Sequence, residues 1–155
     1  MSRRAARVAA VEILYGAGVR EIDAEDVLAE RAGVDAYSEL LVRQVIARRG
    51  ELDGLIREHS IDWEPERMSP VDLSVLRVGA LELLEREVPP AAVIDEAIEI
   101  ARHFSGDEAG RFVNGVLAAV LAALQNDLQS ADDCGGSGGL GEESSGSSGV
   151  SAPGE

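Results

Sequence analysis

Apolar positions along the chain recur at three- and four-residue intervals, with no runs of alternating Val, Thr and Tyr, so the pattern predicts helices rather than strands. Ser2 is placed to cap a first helix running to about Ala17, with Gly16 and Gly18 as its stop. Asp23 is placed to cap a short second helix carrying Val27 and Leu28. From Ala36 to His59 the periodic residues are Leu40, Leu41, Val45, Ile46, Leu52, Leu55 and Ile56, and Gly50 and Gly54 predict a division into two helices. Ser69-Pro70 reads as an N-cap followed by proline at the first helical position, where a missing N–H costs nothing. The next helix carries Val71, Leu73, Val75, Leu76, Val78, Leu81, Leu83 and Leu84 on more than one face, which predicts a central position. Val88-Pro89-Pro90 breaks it. A further helix places Ile94, Ala97, Ile98 and Ala101 inward and Asp95, Glu96, Glu99 and Arg102 outward. A last helix spans about Asp107 to Leu128. Six or seven helices with short connections make an all-α fold.

The periodicity stops at Ser130. The final 26 residues hold eight glycines and seven serines with almost no apolar content. Such a segment buries too little surface to offset its ordering entropy. The expected organisation is a folded domain over 1–129 and a disordered acidic Gly/Ser-rich tail over 130–155. Apolar residues make up 45% of the chain but aromatics only 3%, so the core is expected to be aliphatic.

Charge is unevenly spread. The net value is −15 overall; the first twenty residues carry +3 and the tail −5, leaving −10 on the folded body. An acidic body repels nucleic acid as a whole, so any RNA contact has to be local and assisted. Cys134 is the single cysteine, which excludes an intramolecular disulfide and a cysteine-rich metal site. No stretch approaches 18 uncharged apolar residues, and the basic start lacks the apolar run of a signal peptide. A cytoplasmic protein without membrane contact is expected.

Chemistry-bearing constellations are scarce. His59 and His103 each fall at a predicted helix end, where the dipole favours them, and neither has a second ligand at metal spacing. There is no phosphate-cradling glycine loop and no GxSxG. Asp95, Glu96 and Glu99 read as a solvated face. No enzyme activity, metal or cofactor is expected.

Two features are informative. Arg3, Arg4 and Arg7 lie at i, i+3 and i+4 spacings on one flank of the first helix, at the end where the dipole disfavours cations. Helix stability does not explain them. Arginine forks suit phosphates and stack on bases, although a frayed basic terminus would read the same way. Phe112, beside Arg111, lies about 115° from the centre of the last helix's apolar stripe, at its edge or outside it. Such a ring could stack on a base, anchor a partner, or fold into a second packing layer.

The segments RRAARVAAVEILY, SPVDLSVLRVGALELL, VPPAAVIDEAIEIARHF and GRFVNGVL resemble, in the same order, the signature blocks of the NusB antitermination factors, over about Arg3 to Leu121. The resemblance implies two packed helical bundles. It implies binding of single-stranded boxA-type RNA together with the ribosomal protein NusE, within the antitermination complex of RNA polymerase on ribosomal RNA operons. It places RNA contacts at Arg3, Arg4, Arg7 and Tyr15, and at Arg111, Phe112 and Asn114 around the VNG triplet. It places the NusE-facing region at Asp72, Arg77 and Glu82, with Glu108 near the junction of the two surfaces. Ala5 and Ala6 interrupt the arginine run found in the family, so a basic partner is expected to complete the grip on RNA. The alternatives are a helical interaction module or homodimer without direct RNA contact, and an accessory domain of an RNA-modifying enzyme.

Overall fold

The computed structural model describes residues 2–60 and 68–134, and of 132–134 the backbone alone. Seven helices are present among them: α1 (Arg3–Arg20), α2 (Ala24–Glu30), α3 (Ala36–Ala47), α4 (Arg49–His59), α5 (Pro70–Glu85), α6 (Pro90–Ser105) and α7 (Asp107–Cys134). The all-α expectation holds. Helices α1, α2 and α3 pack together, α4, α6 and α7 pack with α5, and α5 also meets α1 and α3, so the two bundles share one central helix. From Ser74 to Leu83 only Arg77 of α5 escapes full burial, because apolar side chains on every face leave no side for water.

Asp23 and Ser69 stand at the expected N-cap positions of α2 and α5 but make no side-chain capping bond, whereas Ser2 and the prolines act as expected. The Ser2 hydroxyl accepts from the Ala5 amide at 3.1 Å, and Pro70 and Pro90 open α5 and α6. The glycine stops do not. Helix α1 continues through Gly16 and Gly18 to Arg20 and ends where Glu21 turns left-handed (φ 55°). The α3–α4 break falls at Arg48, leaving Gly50 and Gly54 inside α4. A helical glycine costs only about 1 kcal/mol, which burial of Leu14, Ala17, Leu52 and Ile56 easily offsets. Helix α7 runs through Ser130 to Cys134; the rest of the expected tail, 135–155, lies outside the described residues.

Two glycines sit at close approaches, Gly110 where a Cβ would lie 2.8 Å from Arg102 Cγ of α6, and Gly79. A Cβ on Gly79 would sit 2.8 Å from Leu117 Cδ1, so the hydrogen side chain permits the close crossing of α5 and α7. Ser38, fully buried at the start of α3, donates to the Ala6 carbonyl at 2.8 Å and ties α3 to α1.

Candidate nucleic-acid interface

Of the three leading arginines, Arg3 and Arg7 both approach the Tyr37 ring while Arg4 turns away from them. Arg3 lies over the Tyr37 ring on the α3 side, 4.8 Å from its centroid. Arg4 turns to α6, its Nε and Nη2 donating to the two Glu96 carboxylate oxygens at 2.8 Å each. Arg7 points inward, its Nε and Nη2 donating to Glu82 of α5 at 2.7 and 2.9 Å.

Arg7 is 6% exposed and Glu82 3%, which corrects two sequence expectations. The shared arginine flank is real as spacing, but Arg7 falls in helical register with Ala10, Val11, Leu14 and Ala17, all buried. Its guanidinium is committed to a structural pair and offers phosphate no open face. Glu82 is equally withdrawn from any partner.

The outward face of α1 is open. Two surface depressions run along it and meet at Glu12. The first, about 730 Å³, lies between α1 and α6 and is lined by Arg4, Val8, Glu12, Arg31, Glu99 and His103 among others. The second, about 270 Å³, is lined by Glu12, Tyr15, Val19, Pro70, Val71 and Phe104 together with Ser69. From Ser2 to Val19 the face extends for about 25 Å at 1.5 Å per residue. Tyr15 is 42% exposed and Phe104 37%, and His103 meets the Phe104 ring edge-on with centroids 5.3 Å apart. One groove thus has cations at one end and two aromatic rings at the other.

Carboxylates in and beside the groove already face its cations. Arg4 holds the Glu96 carboxyl below its usual range, chiefly through the hydrogen-bonded fork. Arg31 stands 3.5 Å from Glu12.

Phe112 is half-buried against the core and lines neither depression, so among the described residues the ring that joins the α1 face is Phe104. Arg111, Asn114 and Glu108 are exposed on α7. The expected partner face on α5 needs a further correction. The Arg77 side chain is 13% exposed and donates through Nε and Nη2 to the two carboxylate oxygens of Asp53 of α4 at 2.8 and 3.0 Å. Asp72 is half-buried, with one carboxylate oxygen sheltered and without a hydrogen-bond partner among the described residues. A central helix turns its side chains inward, and only Glu108 of the four expected residues is exposed. Among the described residues no cluster of three His, Cys, Asp or Glu could hold a metal, and no helix is long and apolar enough to cross a membrane.

Residues 4–122 match the family model described as the NusB family. The transcription antitermination protein NusB of Saccharopolyspora erythraea is 44% identical over 127 residues, covering 77% of this chain and 86% of that protein. A solved NusB of T. maritima superposes with a TM-score of 0.71 at 33% identity, over 79% of this chain and 92% of the other. A chain from a crystal structure of antitermination factors NusB and NusE in complex with double-stranded RNA gives a TM-score of 0.70 at 28% identity, over 78% and 96%. The two-bundle fold and the sequence match agree, and the chain belongs to the NusB family of transcription antitermination factors.

Proposed function

We propose that this chain is a non-enzymatic antitermination factor that binds boxA-type RNA together with NusE and so supports transcription of ribosomal RNA operons by RNA polymerase in the cytoplasm. The observation that carries the reading is the single groove along α1, with Arg4 and Arg31 at one end and Tyr15 and Phe104 at the other. Phosphates attract the guanidinium groups, and unpaired bases stack on exposed rings. Stacking requires splayed bases, so the strand preferred here is single, unlike the duplex held in the solved relative.

Arg4 and Arg31, the two guanidinium groups that line the groove, take the phosphate role, without the buried Arg7 and with Arg3 turned to the α3 side. Arg111, Phe112 and Asn114 remain contacts that the family resemblance implies at the α7 end of the path. For NusE we favour the acidic corner where the first turn of α5 meets the α6–α7 turn, at Asp72, Asp107 and Glu108, since a basic partner there would extend the cationic track. Two exposed arginines on a single strand supply a log–log salt slope of only about −1.4. Useful affinity at physiological salt then needs the partner. Anisotropy titration of labelled single-stranded boxA RNA, with and without NusE, tests this. Tighter binding with NusE present is expected, and equal affinity in the two titrations contradicts the reading.

A further inference from the structure

Arg4 lines the groove assigned to RNA, and its guanidinium is already held by an anion, Glu96, on the α6 wall beside it. We propose that Glu96 occupies the phosphate seat of Arg4 and thereby restricts the groove to ligands that offer several phosphates and unpaired bases at once. The inference rests on the groove reading above.

The geometry is that of substitution. Nε and Nη2 of Arg4 meet Oε2 and Oε1 of Glu96 at 2.8 Å each, the side-on fork by which a guanidinium also grips two phosphate oxygens. Both groups cannot use that edge together. The Arg4 side chain is 59% exposed and Glu96 23%, so the cation is reachable from solvent while its carboxylate is the more sheltered of the two. Exposed pairs contribute little to stability, so the contact has no strong structural reason to exist. Glu99, one turn along α6, adds attraction to Arg4 from the same depression. The arrangement repeats in looser form at Arg31 and Glu12.

A lone phosphate that displaces Glu96 exchanges one anion for another beside Arg4 and gains little. A strand that also seats bases on Tyr15 and Phe104 has a further source of binding free energy to cover the exchange. Glu96 is in this sense a specificity-setting residue rather than a ligand contact.

The test uses the full chain with NusE and fluorescein-labelled single-stranded boxA RNA, read by anisotropy across a salt series. E96Q is expected to tighten binding about two- to fivefold, the scale of an exposed ion pair released, and to steepen the salt slope by up to about 0.7, one single-strand phosphate. D95N removes the same charge about 100° round the helix and controls for general repulsion. In an Arg4→Ala background the E96Q gain should vanish. A gain no larger than that of D95N, or one that survives in Arg4→Ala, overturns the proposal. If Arg4→Ala alone leaves RNA affinity unchanged, the groove reading itself fails and this inference falls with it.

Discussion

Arg4 and Arg7 lie one turn apart on α1, and each grips a glutamate through the same two nitrogens at almost the same distances. Arg7 and Glu82 are 2.7 and 2.9 Å apart; Arg4 and Glu96 are 2.8 Å apart twice. What separates the pairs is water. The inner pair is shut between α1 and α5, while the Arg4 side chain of the outer pair is mostly in solvent. In the interior an ion stripped of hydration depends on its partner, whereas at the surface water replaces a lost partner almost fully. Identical contact geometry therefore serves architecture in one place and ligand exchange in the other.

The largest expected effect falls on the inner pair. Glu82→Ala leaves Arg7 buried and unpaired and should lower stability by about 3–5 kcal/mol in a denaturant melt. Replacing both, as R7M with E82L, should recover most of that loss because no ion is left stranded. Arg4→Ala should leave the melting temperature unchanged. A mild Glu82→Ala, or a strongly destabilising Arg4→Ala, would break the contrast.

Next come the rings. Tyr15→Ala and Phe104→Ala should each weaken RNA binding by about 1–3 kcal/mol while costing less stability than Phe112→Ala, since both rings are the more exposed. Phe112→Ala should show the reverse balance and cost about 2 kcal/mol of stability, roughly half of what a fully buried phenylalanine costs. An RNA loss confined to Phe112→Ala, with none at Phe104, would move the strand's path from α1 to α7.

These contrasts also mark what the sequence could convey. The central place of α5 was legible because Val71 to Leu84 left no polar face. Tyr15 and Arg4 were legible through the family resemblance. The inner pair was only half legible: the register of Arg7 with Ala10, Val11 and Leu14 pointed inward, but Glu82 lies 75 residues away, and nothing local marks it as the partner. Phe104 was missed because the helix-end reading stopped at its neighbour His103 and the ring itself was not weighed. The available signal was scarcity, since the chain has two phenylalanines and one of them closes a helix beside a histidine. Gly16, Gly18, Gly50 and Gly54 misled because packing outweighs a glycine's modest helix penalty.

Asp72 completes the comparison as a sheltered carboxylate with no paired cation among the described residues, and it gives the smallest effect. It is the third residue of α5, with one oxygen unpartnered. Burial pushes its carboxyl above the usual range, and the Ser105 hydroxyl, donating to it, pulls the other way with less force. With the native value raised above the unfolded one, its contribution to stability is complete in acid, below the ordinary carboxylate range. It is lost as pH rises through the raised native value. At neutral pH the ionised group is a liability, and D72N, of the same shape but uncharged, should raise the melting temperature slightly. The gain should shrink to nothing as the pH falls below the ordinary carboxylate range. The helix dipole opposes it by a few tenths of a kcal/mol, because a negative charge is favoured in the first turn. Thermal melts of both proteins across that pH range decide the balance. A D72N protein that melts lower at neutral pH would mean that the dipole outweighs burial, and Asp72 would then belong with Glu96 among the carboxylates that the surface tolerates.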